Sequence, residues 1–317
     1  MTAGSLVLAC ALDAAIGDPR WLPHPVRLMG RAIAWYERWV RAVVVGRAGE
    51  LVAGAVLAVG LPALFYGVAW LAIEWAGQVH EIAGKGMAVF LAFTTLAARD
   101  LRDHVLAVWH ALESGSLDDA RTAVARIVGR ETAQLSEAEV VRATVETVAE
   151  SASDGIVAPL LFLALGGAPL ALAYKAINTL DSVVGHHDLK YRDLGWASAR
   201  LDDVANWIPA RLTALLIAVS AGVVCRDAGV TKRAWRILRR DGGKHASPNS
   251  GRPEAAMAGA LGVRLGGTNS YDGIAVEQPT MGDSLRPLSP SCIGEALRII
   301  WIVFGLAMLL TTGLLLL

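Results

Sequence analysis

Long apolar runs alternate with charged, helix-periodic segments along the whole chain. Residues 51–73 form a run of 23 without a charged side chain, long enough to cross about 30 Å of hydrocarbon as a helix. Residues 299–317 repeat the pattern at the C-terminus. Four further apolar segments, residues 1–16, 86–98, 156–174 and 212–225, are short or interrupted, so several topologies stay open. Residues 1–16 lack a basic leader and a good cleavage site, and read as a retained short helix stopped by Gly17 and Pro19. The fold class this predicts is all-α. The chain reads as a polytopic integral membrane helical protein, with amphipathic or interfacial helices and cytoplasmic helical loops, in a single membrane-embedded domain over residues 1–317.

The polar segments between the runs are residues 17–50, 99–155, 175–211 and 226–298. From Val26 onward Met29, Ile33 and Val40 recur on one side, with arginines elsewhere and Trp35, Tyr36 and Trp39 suited to headgroup level. Such a helix lies at the interface or packs on protein. Residues 99–150 read as helical hairpins, with Ser136 and Glu139 spaced as a capping box. Residues 17–50 hold six arginines and residues 74–85 one basic side chain, which places the arginine side in the cytoplasm. Residues 226–298, with eleven Lys and Arg against seven acids, belong on that side too. Gly166, Gly167 and Pro169 interrupt residues 156–174, which form either a kinked span or a hairpin returning to one face; the polar chemistry on both flanks favours the hairpin.

Composition sharpens the membrane reading. Of 317 residues, 54% are hydrophobic and only 18% charged, against roughly 25% charged in soluble proteins. Zero formal net charge argues against a nucleic-acid partner. Cys10, Cys225 and Cys292 lie far apart without a CxxC, which excludes a cysteine zinc site and gives no disulfide framework.

Candidate chemistry concentrates in residues 146–211, because ionisable groups at a membrane cost free energy and need a reason to be there. Glu146, Glu150 and Asp154 recur four residues apart and suit a divalent cation. Lys175, Asn178 and Asp181 form one polar stripe if helical. The pair at His186 and His187 beside Asp188 reads as a turn, or as a proton shuttle or phosphate contact. Asp202, Asp203 and Asn206 can coordinate Mg²⁺ and nucleotide phosphates, and Arg200 and Arg211 can pair with phosphate oxygens. Further on, a loop rich in glycine carries Lys244, His245, Ser247 and Asn249. It either cradles a phosphate or is a plain surface loop; no Walker A motif is present.

Five stretches carry a resemblance. They are GDPRWLPHPVRLMG (residues 17–30), IVGRET (127–132), VAESASDGIVAPL (148–160), YKAINTLDSVVGHHDLKYRDLGWASARLDDVANWIPARLTALL (174–216) and RRDGGKHASPNSGRPEAAMAGALGVRLGG (239–267). In this order and over nearly the whole length they resemble the CobD/CbiB family, the adenosylcobinamide-phosphate (cobinamide) synthases of cobalamin biosynthesis. Ser151-Ala152 departs from the family, which often has an Asn after Ala-Glu. The resemblance implies an ATP- and Mg²⁺-dependent amide ligation. It joins the f-propionate carboxylate of cobyric acid, or its adenosyl form, to aminopropanol or aminopropanol phosphate. It also implies the cytoplasmic (inner) cell membrane as location, and the bilayer and other late-step cobalamin enzymes as partners.

Residue chemistry then distributes the expected roles. Asp202, Asp203 and Asn206 are the first metal candidates, with Glu150 and Asp154 second. Lys175, Arg200, Arg211 and Lys244 would neutralise phosphate, and His187 or His245 would take the amine proton. Asp18, His24 and Arg27 would meet the corrinoid's amides. A transporter using the same intramembrane charges, or a non-catalytic pathway scaffold, are the alternatives.

Overall fold

The apolar runs become helices longer than the runs themselves. A computed structural model describes residues 1–19, 21, 24–185, 190–271 and 273–317. In chain order the helices are α1 Ala3–Ile16, α2 Pro25–Val43, α3 Arg47–Val79, α4 Glu81–Phe93, α5 Ala98–Glu113, α6 Leu117–Val124 and α7 Glu137–Ala152. A π turn, Ser153–Val157, leads into α8 Ala158–Val184, followed by α9 Trp196–Ala205, α10 Trp207–Cys225, α11 Ala228–Asp241 and α12 Gly251–Leu261. Two strands, β1 Leu265–Tyr271 and β2 Ile274–Met281, precede α13 Pro290–Leu314. Among the described residues, five helical stretches are long and apolar enough to cross a membrane: Arg47–Val79, Glu81–Glu113, Glu137–Val184, Trp207–Cys225 and Pro290–Leu314. The chain is thus a helical, multi-pass membrane protein. The 14-residue apolar run at 212–225 lies in a 19-residue helix, and the run at 86–98 lies inside a longer helical stretch.

The chain groups into two compact units. The first comprises Met1–Ala97, Ala158–Asn206 and Met308–Leu317. Its α2 starts where the prolines allow: Pro25 takes the first helical position and His24 caps it, Nδ1 accepting the Val26 N–H at 3.3 Å. Met29 and Ile33 of α2 are buried with Leu57 and Leu61 of α3 and Leu172, Ala176, Leu180 and Val184 of α8. This face of α2 packs on protein, while Trp35 and Trp39 stay exposed.

Within α8 the backbone breaks at Gly166 (φ −148°, ψ 19°) and Gly167 (φ 67°, ψ −165°). The positive φ at Gly167 is one that side chains rarely tolerate. Phe162 and Tyr174 stack with ring centroids 4.7 Å apart, whereas an unbroken helix would separate them by about 18 Å along its axis. The chain therefore doubles back here, as a hairpin and not a kinked rod.

The second unit comprises Ala98–Val157 and Trp207–Ala307. Its α5, α6 and α7 are the expected helical hairpins, and Ser136 with Glu139 forms the expected capping box. Helices α11 and α12 approach closely: a Cβ on Gly259 would lie 2.8 Å from the Ala234 Cα. One local expectation is overturned. The sequence Gly-Gly-Thr-Asn at Gly266–Asn269 predicts a glycine turn, but it is part of β1, paired antiparallel with β2. Gly266 (φ 81°) and Gly267 (φ 102°) form a bulge that shifts the register after Leu265. Left-handed glycines serve a bulge as well as a turn, and the sequence does not separate the two.

Candidate functional site

Each unit assembles its own polar cluster. In the first, the spacing of Lys175, Asn178 and Asp181 puts them along one stripe of α8, and α9 packs against that helix. The point of meeting is Asp202. Asn178 donates a hydrogen bond to it, and the carboxylate of Asp181 lies within repulsive range. Asn206 donates through Nδ2 to both Asp202 oxygens, at 2.9 Å each, and its Oδ1 accepts the Tyr174 hydroxyl at 2.9 Å. Burial first, and the Asp181 charge second, push the Asp202 carboxyl up from 3.8 to about 7. It is a carboxylate facing a second carboxylate, with amides as its hydrogen-bond donors.

The expected trio of Asp202, Asp203 and Asn206 does not converge. Asp203 turns to Arg200 at 3.3 Å, since consecutive helical residues face different ways. The Asn206 oxygen that would meet a cation instead accepts Tyr174, so Asn206 orients Asp202. Asp202 with Asp181 offers hard oxygen donors of the type Mg²⁺ prefers. Among the described residues no group of three or more His, Cys, Asp or Glu is placed to hold a metal. A pair of carboxylates fits Mg²⁺ all the same, because that ion keeps waters and substrate phosphates in its shell.

Elsewhere in this unit, Asp18 lies 3.7 Å from His24 Nε2. The cap engages His24 Nδ1, so the proton of the neutral ring sits on Nε2, toward Asp18. Arg27 is exposed on the first turn of α2, and Lys175 is half-buried on α8. His187 lies outside the described residues.

The second unit uses its acids differently. Glu146 pairs with Arg130 at 2.6 Å, the two side chains only 6% and 10% exposed, and accepts the Gly266 N–H at 2.8 Å. Arg130 and Arg142 both donate to Asn269 Oδ1, at 2.6 and 3.0 Å, and Arg142 also reaches the Gly266 and Thr268 carbonyls. Glu146 therefore ties β1 to α7 and is not open to a metal. Glu150 accepts from Ser250 at 2.9 Å, and Asp154 sits in the π turn. Sequence reasoning missed Glu254, 6% exposed on α12. Burial first, then Glu150 and Glu146, push its carboxyl well above the ordinary range. An acid inside the small-residue run of α12 was the available signal.

The glycine-rich loop is organised by its own side chains. Asp241 is fully buried, holds Arg240 through two bonds of 2.8 and 2.7 Å, pairs with Lys244 at 2.7 Å and accepts the Gly282 N–H at 2.9 Å. Arg240 above all holds that carboxyl well below the usual carboxylate range. The charge of Lys244 is thus already matched. His245 Nδ1 accepts the Ser247 N–H at 3.0 Å, which occupies the lone pair a proton acceptor would need. Ser247 Oγ accepts the N–H groups of Asn249 and Ser250 at 3.2 and 3.3 Å. Asn249 is buried at this turn. Arg211 lies over the Trp207 ring at 4.1 Å and donates to its carbonyl at 2.7 Å.

Comparison with known proteins adds a consistent picture. Residues 6–300 match the family model described as CobD/Cbib protein. The chain is 52% identical over 301 residues to the cobalamin biosynthesis protein CobD of Geobacter metallireducens, covering 94% of this chain and 92% of that one. It is 47% identical to the CobD of Klebsiella pneumoniae, over 99% of this chain and 97% of the relative. It is 46% identical to the cobalamin biosynthesis protein CbiB of Salmonella typhimurium, over 98% and 96%. No solved structure matches the chain.

Proposed function

Because the chain belongs to the CobD/CbiB family and so serves cobalamin biosynthesis, we propose that it performs an ATP-dependent amide ligation. The substrates are cobyric acid, or its adenosyl form, and aminopropanol or its phosphate. A carboxylate and an ammonium do not condense unaided in water. A carboxylate oxygen of the corrinoid's f-propionate attacks the γ-phosphorus, ADP leaves, and an acyl phosphate forms. The amine then attacks the acyl carbon, phosphate leaves, and the amine's proton passes to a base, the role proposed for His187. Magnesium, when bound, would neutralise phosphate charge. Asp202 and Asp181 would hold it, Asn206 and Asn178 orient Asp202, and Lys175 faces the phosphates. Asp18, His24 and Arg27 are proposed to meet the corrinoid, and the active loops to face the cytoplasm across the inner membrane.

The observation that carries this reading is the carboxylate pair of Asp202 and Asp181 on facing helices, with amides donating to Asp202 and, among the described residues, no ion pair to it. That arrangement calls for a cation. The test is purified protein with cobyric acid, aminopropanol phosphate, ATP and Mg²⁺, with the product read by mass. Cobinamide phosphate made by the wild type and lost in Asp202→Ala is the expected result; no product from authentic substrates in any lipid would sink the reading. The doubled-back α8, broken at Gly166 and Gly167, favours one second reading, transport through a broken-helix site. Uptake into vesicles without bond formation would support it.

A further inference from the structure

The N-terminal turn of α12 brings together cationic groups that the rest of the unit leaves unmatched. Arg211 from α10 and Arg252 from α12 lie within repulsive range of each other, on two helices that pack together. Among the described residues neither guanidinium is in an ion pair with a carboxylate. The Nε of Arg252 is buried with no acceptor. Its side chain is wedged against the Gly242–Gly243 turn, where a Cβ on Gly242 would meet its Cδ at 3.2 Å. The helix end beside it is also uncapped. Ser250 stands at the N-cap but gives its hydroxyl to Glu150 and makes no bond to the first-turn N–H groups.

Like charges held together in a partly buried place, at the positive end of a helix whose neighbouring Glu150 carboxylate is engaged with Ser250, destabilise the protein unless a further anion joins them. Planar guanidiniums suit the several oxygens of a phosphoryl group. Lys244, the more obvious cation from sequence, is already matched by Asp241. We propose that Arg211 and Arg252, with the N-terminus of α12, clamp a phosphoryl group of a soluble phosphorylated substrate. The choice of a soluble phosphate over a lipid headgroup rests on the ligation reading above.

The test uses the full chain in nanodiscs of neutral phosphatidylcholine, with inorganic pyrophosphate as probe. Pyrophosphate should raise the melting temperature of the wild type. In Arg252→Met, which keeps the apolar stem, its binding should weaken roughly ten- to a hundredfold. Without the probe, Arg252→Met should melt no lower than the wild type, because the repulsion and the orphaned Nε are gone; a merely structural arginine would lower it. Arg252→Lys should recover part of the pyrophosphate effect. Equal pyrophosphate binding by wild type and Arg252→Met overturns the clamp. Stabilisation by phosphatidylglycerol nanodiscs alone also overturns it, by making these arginines a lipid contact. Because the probe needs no ligation, a failed clamp with intact ligation, or the reverse, separates the two proposals.

Discussion

Asp202 and Asp241 are the same residue type in two opposite circumstances. Asp241 is fully buried yet fully matched, by Arg240, Lys244 and a backbone N–H, and its carboxyl is held well below the usual range. Asp202 has no cation to answer it among the described residues: its donors are amides, the carboxylate of Asp181 repels it, and its carboxyl rises to about 7. The first arrangement closes a loop and leaves nothing for a ligand. The second stays electrostatically incomplete, which is the condition of a group that waits for a cation or a proton. Burial alone does not mark a working carboxylate; the mismatch of charge around it does.

The largest effect that tests this contrast is on activity. Asp202→Asn keeps the size of the side chain and one acceptor oxygen for Asn206 or Asn178, but removes its charge. It should lower ligation by about a hundredfold or more, on the scale seen when a positioned electrostatic group is lost, while Asp241→Asn should lower it far less. Product yield under the conditions given above decides. Equal losses in both variants would erase the distinction.

Next in size is stability. Asp241→Ala leaves Lys244 without this partner, Arg240 with Asp283 alone, and the Gly282 N–H without its acceptor. Both cationic side chains are 47% exposed, so water takes over part of the loss. The cost should be about 2 kcal/mol, below the range for a fully buried pair. Thermal unfolding in detergent measures it. Asp202→Asn should cost nothing, or raise the melting temperature at pH 8, because it removes an unfavourable charge.

How much of this contrast the sequence carries follows from the range of the interactions. The membrane helices, the capping box at Ser136 and the polar stripe of Lys175, Asn178 and Asp181 depend on neighbours within a few turns, and periodicity reports those. The break at Gly166–Gly167 was legible because glycine and proline punctuate an apolar run. The use of Glu146 was not, since its partner Gly266 lies 120 residues away. Short range alone did not suffice either: Lys244 pairs with Asp241 three residues away, and the Nδ1 atoms of His24 and His245 accept N–H groups two residues on, yet periodicity reports none of these. Residue type states what a side chain is able to do, and only the fold states which of its atoms are already engaged. Glu254 escaped because an apolar run reads as core and its single acid as an interruption.

The smallest effect is a pH slope, and it gives the sharpest contrast in sign. The folded protein keeps a proton on Asp202 up to about pH 7, whereas the unfolded chain releases it near 3.8. Between those values the folded state binds more protons, so this residue's contribution to stability falls as pH rises. One proton limits the slope to about 1.4 kcal/mol per pH unit. Asp241 works the other way: its contribution is present above the unfolded value and is lost as acid protonates the paired carboxylate. Melting curves of metal-free protein from pH 5 to 8 should therefore decline more steeply for the wild type than for Asp202→Asn. Saturating Mg²⁺ should flatten the wild-type decline, because a bound cation supplies the charge Asp202 lacks and stabilises the folded state by mass action. A decline that Asp202→Asn leaves unchanged would show that Asp202 is as well matched as Asp241. Flattening by Mg²⁺ in Asp202→Asn as well would move the cation to other carboxylates, with Glu150 and Glu254 the next to substitute.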